Sequence, residues 1–396
     1  MVKTIVICCD GTGNTFGRYH TNVYKMCRVL AHDGTNQLVY YDPGVGTLGD
    51  TGGLSKLRSG LLRVLGGAVG YGLKQNVASA YAFLSLHHRP GDRIAMFGFS
   101  RGAYTIRLIA ALVRSYGLSP PGATNLPPHL VELLTADDRD DPNSARGSPL
   151  NRFEVAGSFK KYLGREAKID FVGLFDSVNA VGWLWNPLRP PPYSANNSAV
   201  RVLRHAVAID ERRGFFLNEP TRRASRQDHQ ELWFAGVHSD VGGGYPHDEQ
   251  QLAQVAFEWM LKEARACRAE DGSPVLAFRE EAQDDREGVS EAKYAAPDAA
   301  GMMHDSMNWA WSLAEFLPRF VGWRRRVRAR KDGEKPRWKL QFPLKVNIFR
   351  SRTVPENAVF HESVYLRAKA LGEEYRPRNC PDLVALAAAD PSRFRA

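Results

Sequence analysis

The sequence predicts an α/β fold built on a mostly parallel sheet with helices on both faces. Two observations predict it. Short β-branched or apolar runs alternate with helical stretches from Thr4 to Val237, and several of these runs are apolar throughout, as strands buried on both faces require. The composition, 43% hydrophobic, 10% aromatic and 24% charged over 396 residues, fills a sizeable core and excludes global disorder.

In chain order, the run Thr4 to Cys9 is β-branched and ends in the turn-rich Asp10-Gly11-Thr12-Gly13-Asn14. Residues 21–32 carry helical spacing, and Gln37 to Tyr41 forms a second strand that stops at Asp42-Pro43-Gly44. Leu73 to Leu86 is helix-compatible and closes at His87-His88-Arg89-Pro90-Gly91-Asp92. A third strand, Arg93 to Phe99, leads at Arg101 into a helix through Val113. Ile169–Phe175, His205–Ile209 and Leu232–Val237 read as further strands. Residues 119–155, rich in Pro, Asp, Asn and Ser, and the proline-rich 183–197 read as exposed insertions or a lid. Beyond about residue 266 the alternation fades. The expected division is therefore a core over 1–265 and a helical, basic and aromatic-rich extension over 266–396.

The chain carries 53 Lys plus Arg against 43 Asp plus Glu, a formal charge of +10, which favours polyanions without specifying a fold. Part of the excess lies in Arg324-Arg325-Arg326, Arg328, Arg330 and Lys331, directly after Met307, Trp309, Trp311, Phe316, Phe320 and Trp323. Aromatic residues followed by cations suit a segment lying on an anionic membrane surface over 307–331, against the alternative of a core-packed helix with a solvated basic end. Five cysteines without CxxC spacing form neither a zinc nor a disulfide framework, and no metal or cofactor is expected. No cleavable signal or membrane-spanning run is read, so synthesis in the cytoplasm is expected, with export by a route that uses no cleavable signal left open.

Gly98-Phe99-Ser100-Arg101-Gly102 is a G-x-S-x-G pentapeptide between a predicted strand and a predicted helix, the context in which such a serine is held out as a nucleophile. The alternative is a glycine turn with a capping serine. A serine nucleophile needs a base and an orienting acid. His238 stands directly after a strand, among glycines, and is the expected base; His361 is the reserve. Asp176 and Asp210 both end strands. Asp176 is preferred, because Glu211-Arg212-Arg213 gives Asp210 a plausible salt-bridged role. Asp240 lies too near His238 in sequence for an easy triad; it is kept as an alternative acid that orders the glycine turn or holds a second ring hydrogen bond. The backbone amides of Arg101, Gly11 and Thr12 are the candidate oxyanion hole.

Taken in order, Asp10-Gly11-Thr12-Gly13-Asn14, Asp42-Pro43-Gly44-Val45-Gly46-Thr47, Gly98 to Tyr104, Phe175-Asp176-Ser177-Val178, Ile209 to Arg213 and Gly236 to Tyr245 resemble the α/β-hydrolase catalytic domain of type VI secretion phospholipase effectors. The resemblance spans about residues 3–260. It implies an α/β-hydrolase fold, a Ser-Asp-His triad for ester hydrolysis of membrane phospholipid, and secretion-machinery or immunity partners. Carried over motif by motif, Ser100 is the nucleophile, Asp176 the acid and His238 the base. Three other readings remain: a carboxylesterase for a non-lipid substrate, an inactive basic binding module, and a metal-dependent hydrolase using Asp10, Asp176, His238 and Asp240. The intact serine, histidine and aspartate argue against nucleic-acid binding as the role.

Overall fold

The computed structural model describes residues 2–11, 19–44, 68–136, 152–178, 191–214, 216–279, 294–307, 311–312, 319–320, 324–327, 337–340, 344–345 and 351–396. An eight-stranded sheet organises them. Its strands are β1 (Thr4–Cys9), β2 (Gln37–Asp42), β3 (Arg93–Phe99), β4 (Ile169–Phe175), β5 (Val200–Ala208), β6 (Asp228–Phe234), β11 (Val359–His361) and β12 (Phe394–Arg395). They lie in the order β12-β11-β6-β5-β4-β3-β1-β2, and the pairings are parallel.

The uninterrupted apolar character of the central strands follows from their two buried faces. In β1, Ile5, Ile7 and Cys9 pack with Ile94 and Met96 of β3 into one core, while Val6 and Cys8 join Ala95, Phe97 and Phe99 in the other. The first core is closed by helices Ala68–His87 and Arg101–Tyr116, the second by Asn22–Val29 and Gln251–Ala266. The chain runs outward from β1 to β2, then returns to place β3 on the other side of β1. The strand order therefore reverses between β1 and β3, and in such sheets ligands are bound beyond the carboxyl ends at that point. Ser100 directly follows the carboxyl end of β3.

The structure revises three expectations. Residues 119–155 are not uniformly an exposed insertion: Leu126–Thr135 is a helix whose Leu130, Val131 and Leu134 join the first core. Its Pro127 and Pro128 sit in the first turn, where a missing amide costs nothing. Residues 137–151 and 179–190 lie outside the described residues. The sheet also crosses the division drawn near residue 265: β11 pairs with β6, β12 with β11, and helices Glu362–Leu371 and Leu383–Ala389 cover them through Val364, Ala368 and Leu383. Finally, the described backbone within 319–345 is extended rather than helical. Strand β7 (Arg319–Phe320) pairs antiparallel with β10 (Leu344–Lys345), and β8 (Arg324–Val327) with β9 (Arg337–Leu340). Among the described residues no helix is long and apolar enough to cross a membrane.

Candidate active site

Ser100, Asp176 and His238 follow β3, β4 and β6, and the parallel sheet brings all three strand ends to one edge. Ser100 adopts φ 58°, a strained conformation for a residue with a side chain, and helix Arg101–Tyr116 begins at the next residue. The turn is possible because of the flanking glycines. A Cβ on Gly98 would lie 2.6 Å from Ala103 Cα, and one on Gly102 would lie 2.1 Å from the Cys9 carbonyl oxygen. Asp176 is also strained, at φ 39°. Both conformations are held by sheet pairing carried past the strand ends: Ser100 N–H donates to Phe175 O and Asp176 N–H to Ala206 O.

The three side chains form one hydrogen-bonded line. His238 Nε2 lies 2.7 Å from Ser100 Oγ, and His238 Nδ1 lies 2.5 Å from Asp176 Oδ2. All are buried, Ser100 at 5%, His238 at 4% and Asp176 at 0% exposure. The imidazole is held between two rings, Phe99 at 4.7 Å and Phe216 at 4.8 Å between centroids. Burial lowers its pKa below the usual histidine value against the pull of Asp176, so the ring is neutral and basic at pH 7. Burial would push the Asp176 carboxyl up, but the Arg352 guanidinium and His238 together hold it well below the usual carboxylate range.

Arg352 lies beyond the hydrolase motifs, and no local signal in the sequence marks it. Its guanidinium grips Asp176 with both terminal nitrogens, at 2.5 Å and 2.9 Å. Glu211 is equally buried: it accepts the His238 backbone N–H at 3.2 Å, the Ser306 hydroxyl at 3.2 Å, and a two-pronged ion pair from Arg213. Burial opposes its charge, yet Arg213, then Arg352 and His238, hold it down to about 2. Arg213 in turn lies over the Phe216 ring, against which Trp311 packs edge-on. Of the aromatic segment 307–331, Trp311 thus reaches the wall of the site; most of the remainder lies outside the described side chains.

The other candidates stand elsewhere. The salt bridge predicted for Asp210 is made by its neighbour Glu211 instead; Asp210 accepts the Gly236 N–H and the Tyr375 hydroxyl, and burial raises it to about 6. Asp240 receives the Val237 N–H at the start of the short helix His238–Gly242 and binds His304. His361 caps helix Glu362–Leu371 through the Ser363 N–H and stacks on Phe234. The Arg101 N–H opens a sixteen-residue helix whose Ser100 cap makes no side-chain hydrogen bond, and the first amides of a helix have no partner within it, so this amide keeps its place as the candidate oxyanion donor. The Gly11 N–H, by contrast, is turned to its neighbour Asp10 Oδ1 at 2.6 Å and is not free to hold an oxyanion in this arrangement; Thr12 lies outside the described residues. Among the described residues no group of three or more His, Cys, Asp and Glu is disposed to hold a metal.

Residues 3–263 match the family described as "T6SS, Phospholipase effector Tle1-like, catalytic domain". The chain belongs to this family. A curated relative of this Tle1-like chain, the uncharacterized protein YEL023C of Saccharomyces cerevisiae (strain ATCC 204508 / S288c), is 37% identical over 223 residues, covering 54% of the chain and 32% of that protein. The chain thus spans about a third of the length of that relative. Among solved structures, an uncharacterized protein from Pseudomonas aeruginosa is 19% identical at TM-score 0.38, with 74% of this chain and 49% of that one covered. The Tle1 effector bound to the VgrG spike from the type VI secretion system is 21% identical at TM-score 0.32, with 62% and 52% covered. The matched family region ends at residue 263, so Arg352, His304 and Ser306 of this Tle1-like chain come from outside it.

Proposed function

We propose that this Tle1-like chain is a serine hydrolase of carboxylic esters that acts on membrane phospholipid through an acyl-enzyme. The observation that carries the reading is the continuous Ser100–His238–Asp176 hydrogen-bonded line on a strained strand-to-helix turn. His238 Nε2 takes the proton of Ser100 Oγ as the oxygen attacks the acyl carbonyl carbon, and Asp176 holds the imidazolium that forms. The Arg101 N–H at the helix start donates to the tetrahedral oxyanion. His238 then delivers its proton to the departing alcohol oxygen of the lysolipid. Water, deprotonated by the same imidazole, releases the fatty acid and restores Ser100.

Membership of the phospholipase effector family supports the phospholipid substrate, secretion by the type VI apparatus and a cognate immunity partner. Trp311 at the wall of the site supports an entrance that meets lipid, with the basic residues after it on the anionic surface. Likeness to a yeast protein favours a second reading, an esterase with no part in bacterial secretion.

Two measurements test the proposal. A fluorophosphonate probe should label the wild type and fail to label Ser100→Ala and His238→Ala. Mass analysis of vesicles of defined phospholipids should find free fatty acid and lysolipid with the wild type alone. Wild-type activity in pure Ser100→Ala would overturn the mechanism, and turnover confined to water-soluble esters would leave the second reading.

A further inference from the structure

We propose that Arg352 is a positioning residue of this hydrolase site: by pairing with Asp176 it keeps that carboxylate ionised and half-neutralised, so that His238 serves as a base at a lower pH than an Asp–His pair alone allows. The inference rests on the serine-hydrolase reading above.

The geometry saturates Asp176. Its Oδ1 accepts from Arg352 Nη1 and the Ala208 N–H, and its Oδ2 from Arg352 Nη2 and His238 Nδ1. The Arg352 side chain is 2% exposed and that of Asp176 is 0%. A carboxylate so buried, facing only a neutral imidazole, is driven toward protonation, and a protonated Asp176 cannot hold the imidazole in the tautomer that faces Ser100. The guanidinium removes that drive.

It has a second effect. The imidazolium formed as Ser100 loses its proton gains less from a carboxylate already paired to a cation. Among the described residues the other charged groups facing His238 are Glu211, at its backbone N–H, and Arg213, which neutralises Glu211. Asp240 on the same short helix is paired with His304. Two carboxylates thus face His238 with a guanidinium on each, so no net negative charge holds the ring protonated.

Arg352 also fixes the surrounding wall. Its Nε and Nη2 donate to the carbonyl of Phe216, whose ring lies against His238, and its Nη1 donates to the carbonyl of Ala208 at the end of β5. Asn379 Nδ2 ties the Arg352 carbonyl to that of Ile209. Arg352 and Asn379 lie outside the matched family region, whereas Ala208, Ile209 and Phe216 lie within it.

The test compares the full chain with Arg352→Gln and Arg352→Lys. For each, the thermal melt is recorded and kcat/KM for a soluble acyl ester is measured from about pH 5 to about pH 9. In Arg352→Gln either Asp176 protonates or His238 becomes more basic, and both move the acidic limb upward. The expected result is a limb displaced by about one pH unit, with a loss of about tenfold or more at pH 6 that shrinks toward pH 9. Arg352→Lys keeps the charge and should hold its limb near that of the wild type. A folded Gln variant whose activity falls by one factor at every pH, with the limb unmoved, overturns the proposal. If the Gln variant does not fold, a folded Lys variant with a displaced limb overturns it and an unmoved limb supports it. Failure of the wild type to take a fluorophosphonate on Ser100 would instead sink the serine-hydrolase reading beneath it.

Discussion

His304 Nδ1 lies 2.6 Å from Asp240 Oδ1, and this bond joins the segment that follows residue 294 to the short helix that carries His238. The His304 Nε2 faces Glu249 at 3.2 Å, and Tyr245 stacks on the ring at 3.6 Å between centroids. Partial burial opposes a charge on His304, but Asp240 and Glu249 outweigh it and raise its pKa above the usual histidine value. A raised pKa means that the folded state binds the proton more tightly than the unfolded chain. The stabilisation is fully present below about pH 6.5 and is lost as the pH rises through the raised value. His304→Gln should therefore melt below the wild type at pH 6 and close to it at pH 9; a gap independent of pH would refute the link.

The choice of acid is decided by paired substitutions. Asp176→Asn should lower kcat about 10⁴-fold through loss of the imidazole tautomer. It should also cost about 3–5 kcal/mol by leaving Arg352 buried without a counter-ion. Asp210→Asn, at a carboxyl raised to about 6 and bonded to Gly236 and Tyr375, should keep activity within about threefold. The acid assignment fails if the two activities come out reversed.

Close approach of backbone at the serine turn makes a packing prediction. In Gly102→Ala the new methyl would meet the carbonyl oxygens of Cys9 and Asp10 at 2.1 Å and 2.4 Å, and neither can move without disturbing β1. A loss above about 3 kcal/mol in urea unfolding is expected. Gly91→Ala is the control: φ is 91° but nothing lies within 4 Å, so only the backbone penalty of about 1–2 kcal/mol applies.

Lys25 is 3% exposed, donates to Gln254 Oε1 at 3.1 Å, and lies 4.8 Å from the centroid of the Tyr294 ring. Burial lowers its pKa to about 7 against the opposing pull of Glu258. A lowered lysine pKa destabilises the fold at pH values where the unfolded chain holds the proton more tightly, so the penalty is full below about pH 7 and fades as the pH rises toward about 10. Lys25→Met should raise the melting temperature, most at low pH and least near pH 10. A variant less stable than the wild type at pH 6 would show that the ammonium contributes more than its burial costs.

Much of the site was legible because it is local. Ser100, Asp176 and His238 each follow an apolar run directly, and a parallel sheet gathers strand ends at one edge, so consecutive residues sufficed to nominate three positions that the fold then brings into hydrogen-bond contact. The helix Leu126–Thr135 was missed because Pro127 and Pro128 read as loop, although a first turn tolerates both. Strands β11 and β12 are three and two residues long and carry no period of their own; the edge of β6 recruits them.

By itself the sequence determined the parallel α/β class, the serine turn and the strand-end positions of Asp176 and His238, since each is written in consecutive residues. Local pattern favoured Asp176 over Asp210 only through the cations that follow Asp210, whereas tertiary structure places Asp176 on His238 Nδ1 and Asp210 on the Gly236 N–H and the Tyr375 hydroxyl. Tertiary structure also decided the charge on Asp176, which depends on a guanidinium 176 positions away in the chain. A buried ion pair is set by where the backbone carries two side chains in space, and no spacing along the chain records that.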